Sequence, residues 1–225
     1  MKKRLYLTSI LITWIVFASD AQISYGIKAG LSFNSVTNLG GASSSVGTVT
    51  SSSESKMKIG WHMGGYTNIP FSELLGFQPE LLFSIKGYEH VAESKVGNIE
   101  SSSTTNTRLN YIEIPLQLRV NPSENFYLLA GPYFGTLVGA SSTSTNYSSV
   151  PPLAPITTTS TSSSTNGLNS LDLGISIGAG VQIDNGFTGG VKYLRGFTSI
   201  ASNNGGSANA NTGLQIFVGF AFGNN

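Results

Sequence analysis

Twelve consecutive residues near the start of the chain alternate without a fault. In Ile23–Asn34, the residues Ile23, Tyr25, Ile27, Ala29, Leu31 and Phe33 fall on one face, and Ser24, Gly26, Lys28, Gly30, Ser32 and Asn34 on the other. A strand puts successive side chains on opposite faces, whereas a helix repeats every 3.6 residues and cannot produce this pattern. Seven further segments of similar length read the same way: Met57–Ile69, Gly76–Tyr88, Leu109–Val120, Phe126–Val138, Leu171–Ile183, Phe187–Phe197 and Thr212–Phe222. In Phe126–Val138 almost every residue is apolar, and glycine sets the phase: Gly131, Tyr133 and Gly135 go with the polar face, where the other strands carry glycine.

The connections sort by length. Pro70–Leu75, Asn121–Asn125 and Asp184–Gly186 are short, and Asn-Pro-Ser and Asp-Asn-Gly are strong turn formers. Ser35–Lys56, Glu89–Arg108, Gly139–Ser170 and Thr198–Asn211 are long and rich in Ser, Thr, Asn and Gly. In an up-and-down barrel every second connection lies on the same rim, so tight turns collect at one end and long loops at the other, the layout of outer-membrane barrels. The reading is all-β: an eight-stranded antiparallel up-and-down transmembrane β-barrel. The tracts Ser141–Thr145 and Thr157–Thr165, without aromatic residues or charge, read as flexible, weakly interacting loops.

Composition decides which face meets water. Charged residues are 10% of the chain, against about 25% in soluble domains. The polar strand face carries glycine, serine and a few isolated charges, a poor soluble exterior but a fitting interior for a narrow barrel, whose lumen side chains fill. Gly26, Gly30, Gly60, Gly64, Gly174, Gly178 and Gly180 make room there for longer neighbours. The inward charges are of both signs: Lys28, Lys58, Lys86, Arg119 and Lys192 with Glu80, Glu113 and Asp172. Unpaired charges in so narrow a lumen are costly, so all eight are expected in one structural network of ion pairs. Phe71, Phe77, Phe126, Phe187 and Phe222 lie at the turn ends, where an interfacial girdle belongs.

The first residues read as an export signal: Lys2, Lys3 and Arg4, an apolar Leu5–Phe17, then Ala18-Ser19-Asp20-Ala21. The expected division is a signal peptide over 1–21 and an outer-membrane β-barrel domain over 22–225. Without the leader the net charge is about −1, which leaves no basic footprint for nucleic acid. There is no cysteine, so disulfides and zinc–thiolate sites are excluded. His62 and His90 are the two histidines, one read as a lumen residue and one as a loop residue. No metalloprotease, nucleophile-elbow or phosphate-loop motif occurs. No catalytic residue, metal site or cofactor is expected.

Gly26-Ile27-Lys28-Ala29-Gly30-Leu31, Gln78-Pro79-Glu80-Leu81-Leu82-Phe83-Ser84-Ile85-Lys86-Gly87, Tyr111-Ile112-Glu113-Ile114-Pro115-Leu116 and Ala130-Gly131-Pro132 resemble the outer-membrane β-barrel family common in Bacteroidetes, whose members are labelled porin-family or PorT-like. The resemblance implies export to the bacterial outer membrane, contact with its lipid, and insertion by the barrel assembly machinery, which reads the C-terminal strand. It implies no shared catalytic residues and leaves the partner of the external loops open. The function expected is a non-enzymatic integral barrel with a structural or surface-interaction role. The alternatives are narrow porin-like transport of small solutes and a soluble periplasmic ligand-binding barrel.

Overall fold

The alternating residues of Ile23–Asn34 form a strand whose apolar face points outward. In the computed structural model of the chain, which describes residues 23–37, 42–202 and 209–222, Ile27 and Leu31 are more than half exposed while Lys28 and Ser32 between them are buried. The inversion holds along the other strands: Ile114, Ile177 and Val218 are exposed, and Glu113, Ser176 and Phe217 are buried. A soluble barrel would present the opposite faces, and such an exterior suits a lipid solvent.

The described residues form ten strands, not the expected eight. They are β1 (Ser24–Val36), β2 (Ala42–Val46), β3 (Val49–Pro70), β4 (Leu75–Val96), β5 (Ile99–Val120), β6 (Phe126–Ser149), β7 (Ile156–Ser162), β8 (Leu171–Gln182), β9 (Phe187–Gly196) and β10 (Asn211–Phe222). All pairings between them are antiparallel. They run β1-β10-β9-β8-β6-β5-β4-β3, and a β1–β3 pairing from Ser24–Asn68 to Asn34–Lys58 closes the circuit. Closure removes the sheet edges that would otherwise seek a partner.

β2 and β7 lie off this circuit, each on a single neighbour, β3 and β6. They belong to a feature that strand periodicity does not reveal. β3, β4, β5 and β6 are 22 to 24 residues long and continue well past the apolar belt. Three of the four connections expected as long loops are therefore largely strand. Glu89–Arg108 is a continuous hairpin extension whose last pair, Val96 with Ile99, brackets a two-residue turn. Ser141–Thr145 is part of β6, and Thr157–Ser162 lies in β7. Strands β2 to β7 thus form a polar sheet projecting from one rim. The hydroxyls of Thr105 and Ser144, Thr143 and Thr161, and Thr145 and Thr159 pair across it at 3.1–3.3 Å. Gly47 and Gly97 open the two-residue turns at its far end with φ of 61° and 58°, the positive values such turns require. At the opposite rim the expected turns hold: Phe71 and Ser72 donate to the Leu75 carbonyl, and Gly186 to that of Ile183.

Candidate functional site

The inward residues fill the lumen in layers, and the polar layers hold the charges. Glu80 on β4 is fully buried, and its Oε2 takes ammonium groups from two strands, Lys28 on β1 at 2.5 Å and Lys192 on β9 at 2.8 Å. Gln78 Nε2 donates to its other oxygen at 2.9 Å. Farther from the tight turns, Lys86 reaches two carboxylates, Glu113 and Asp172, the latter at 2.9 Å. Ser84 Oγ donates to Glu113 at 2.6 Å, and Asn211 Nδ2 to Asp172 at 3.0 Å. The two groups have complementary compositions: two ammoniums on one carboxylate, and one ammonium between two. Their formal charges of +1 and −1 cancel over the lumen. Buried charges persist in a low-dielectric interior only with such partners.

The six residues Lys28, Glu80, Lys86, Glu113, Asp172 and Lys192 are thereby brought into two clusters rather than one network. Arg119 and Lys58 correct the expectation. Arg119 is buried near the tight turns and meets neutral amides: its guanidinium donates to Gln78 Oε1 at 3.1 Å, Gln182 Oε1 at 2.9 Å and Asn121 Oδ1 at 2.9 Å. It touches Glu80 only through Gln78. Lys58 sits at the far end of the belt and donates to Asn106 Oδ1 and to the Thr107 carbonyl. Each of these two lies too near an end of the barrel to reach the mid-lumen carboxylates.

Aromatic rings supply the rest of the packing. Lys28 and Lys192 lie 4.7 and 5.9 Å from the Phe217 ring centre, Lys86 lies 4.7 Å from Tyr133, and Arg119 lies 4.0 Å from Tyr127. These distances suit cation–π attraction, which strengthens on desolvation. Three tyrosines lie over glycines of the neighbouring strand: Tyr66 over Gly26, Tyr133 over Gly174 and Tyr127 over Gly180. A Cβ on any of these glycines would fall 2.3–2.5 Å from the ring. The expected role of glycine is thus specific at these sites, each serving as the seat of one tyrosine. Gly30 lies under His62, but a Cβ there would meet the Ile216 carbonyl first, and Gly60, Gly64 and Gly178 likewise face backbone carbonyls.

Above the second charge cluster an apolar plug of Val36, Leu109, Tyr111, Leu137 and Ile200 closes the lumen, with Leu168 packed against it. Ile200 and Leu168 come from two different connections, pinned together by the Asn169 N–H on the Ile200 carbonyl at 2.7 Å. The space beneath, lined by Asn34, Lys86, Leu194, Asn211 and Gln215, is too tight to admit a water molecule. Gln117–Ser176 (2.8 Å) and Tyr127–Thr188 (2.6 Å) are further polar contacts. Their inward positions were readable from alternation, but their pairing depends on register around the barrel. His62 is fully buried in the lumen and pairs in register with Ser84, six residues short of His90 on β4, so the two histidines are far apart. No cluster of three metal-ligating side chains occurs among the described residues.

A closed antiparallel circuit, an exposed apolar belt and a charge-filled lumen agree with the sequence family that the chain matches. Residues 17–202 match the outer membrane protein beta-barrel domain. The chain belongs to that family. Membership places it in the bacterial outer membrane and accounts for the absence of any long apolar helix among the described residues, since these proteins cross with strands. No curated protein matches the chain by sequence. Among solved structures, it is similar to Ail, the attachment invasion locus protein of Yersinia pestis, in complex with the heparin analogue sucrose octasulfate. That match has 12% identity and a TM-score of 0.42 over 89% of this chain and 99% of that one. The translocator domain of the autotransporter NalP from Neisseria meningitidis matches with 11% identity and a TM-score of 0.29, over 98% and 96% of the two chains. The outer membrane channel DcaP of Acinetobacter baumannii follows with 7% identity and a TM-score of 0.24, over 90% and 97%.

Proposed function

We propose that the protein is a non-enzymatic integral barrel of the outer membrane whose spanning wall is the eight-membered circuit β1-β10-β9-β8-β6-β5-β4-β3, and whose task is surface presentation rather than transport. The filled lumen carries this reading. Two ion-paired clusters, the tyrosine–glycine seats and the apolar plug fill the lumen among the described residues, and the two bases without a carboxylate, Arg119 and Lys58, are held by neutral groups toward its ends. What the circuit holds up is the protruding sheet of β2 to β7. Residues 1–21 act as the export signal and lie outside the described residues. The assembly machinery reads the last strand, Asn211–Phe222, in which Phe220 and Phe222 stack edge-on at 5.1 Å. The paired strings Gln78-Pro79-Glu80-Leu81 and Tyr111-Ile112-Glu113-Ile114-Pro115 support placing the chain in the PorT-like branch of Bacteroidetes.

Recording from planar bilayers tests the choice between presentation and transport. Purified, folded protein is expected to leave the bilayer silent. Reproducible single-channel steps that vanish when Lys86 is replaced would instead favour narrow, porin-like transport through the lumen. The soluble ligand-binding alternative requires the apolar faces inside, opposite to their observed exposure.

A further inference from the structure

The protruding sheet is mainly polar, rich in Ser and Thr, yet each of its three hairpin tips is flanked by aliphatic residues: Val46 and Val49, Val96 and Ile99, and Val150, Leu153 and Ile156. These seven side chains are 40–78% exposed. Cross-strand register puts four of them in one row on one face, since Val46 pairs with Val49, Val49 with Val96, and Val96 with Ile99. Val150 follows Ser149, the partner of Glu100, and so extends the row onto β6. The first two tips are also tied through their turns, where the Gly97 N–H donates to the Thr48 carbonyl at 3.2 Å. The result is an apolar crest one residue deep across the end of the sheet farthest from the belt. Val96 is eleven residues beyond Ile85, the last belt residue of β4, a reach of about 35 Å at about 3.3 Å per residue.

We infer that this crest is a membrane-docking edge that inserts shallowly into an uncharged phospholipid surface facing the cell. This rests on the barrel reading above, which sets the crest on the outer side. Shape and charge select the occupant. A stable protein interface takes about 20–30 residues and about 800 Å² from each partner, with an apolar centre; a single aliphatic row lacks that depth. Fluid acyl chains conform to a ridge of any shape, and apolar burial is non-directional and proportional to area. The charges closest to the crest are Lys95 and Glu100, which pair with each other at 2.6 Å, so no positive excess selects an anionic surface. Three tips on one rigid sheet engage together, which multiplies the effect of each.

The chain has no cysteine, so Asn98→Cys accepts a single environment-sensitive fluorophore. The labelled protein, held in nanodiscs, is mixed with phosphatidylcholine vesicles. At least a twofold rise in emission with a blue shift is expected, together with flotation of the nanodiscs with the vesicles. The quadruple variant Val46→Ser, Val49→Ser, Val96→Ser, Ile99→Ser should lose at least tenfold in vesicle-bound fraction, and Ile99→Ser alone should lose part of it. The inference is overturned by emission indifferent to vesicles or by a quadruple variant that floats like the parent. Emission rising with protein concentration in the absence of vesicles overturns it too, assigning the crest to a second copy. Failure to enter nanodiscs as a heat-shifting barrel would instead overturn the reading on which the inference rests.

Discussion

Lys192 on β9 crosses the lumen to Glu80 on β4, meeting its Oε2 at 2.8 Å from 112 residues away in sequence. The contact exists only because the circuit closes. Glu80 is the single carboxylate shared by Lys28 and Lys192, so its removal strands two buried ammoniums. Glu80→Gln is expected to cost about 3–5 kcal/mol. Lys192→Met should cost less, because it leaves one ammonium on one carboxylate. Urea titration of the folded band on gels gives both values, and an equal cost for the two variants would deny the shared-carboxylate geometry.

The tyrosine seats make a second prediction. Gly180→Ala places a Cβ against the Tyr127 ring and should destabilise by roughly 1–3 kcal/mol, the usual range for overpacking. In Tyr127→Ala the seat is empty, so adding Gly180→Ala should then cost little. A double-mutant cycle measures the coupling, and simple additivity would refute the seat.

The faces were legible in the sequence because apolar and polar residues alternate in the belt. Phe126–Val138 in β6, nearly all apolar, was phased by Gly131 and Gly135, and the structure places Tyr127, Leu129 and Tyr133 inside with them. The strand extensions were not legible, because polar residues, many of them Ser and Thr, occupy both faces there and give no clean alternation. A local signal did exist: Val46-Gly47-Thr48-Val49 and Val96-Gly97-Asn98-Ile99 bracket glycine-led two-residue turns with β-branched residues, a hairpin signature. The partners of Arg119 and Lys58 were hidden for another reason. Alternation tells which way a side chain points but not its height in the barrel, and height decides whether a base meets Glu80 or Gln182.

Lipid exposure of the belt is tested by charge. Ile177→Arg, on the outer face of β8, should cost about 2–4 kcal/mol in a bilayer. Ser144→Arg, in the protruding sheet, should stay within about 0.5 kcal/mol. Refolding equilibria in vesicles give the comparison, and equal effects would argue that Ile177 does not face lipid.

The protruding sheet should be dispensable for folding. Replacing residues 90–105 by a Gly-Asn turn removes the paired extension from His90–Thr105 outward and retains the Glu89–Asn106 pair below it. The outer β3–β4 and β5–β6 pairs go with the extension but the belt keeps its pairings, so the shortened chain is expected to fold with a urea midpoint close to that of the parent. Loss of the folded species would show that the extension, and not the belt, holds the β4–β5 hairpin.

The most direct test of the closed, membrane-embedded barrel is electrophoresis of the outer-membrane fraction with and without boiling. A hydrogen-bonded circuit closed between β1 and β3 resists detergent at room temperature and opens on heating. The unboiled protein should run as a compact band that shifts to the unfolded position when boiled, and Glu80→Gln should lower the temperature of the shift. A single position before and after boiling, or recovery of the protein in the detergent-free soluble fraction, would contradict the account.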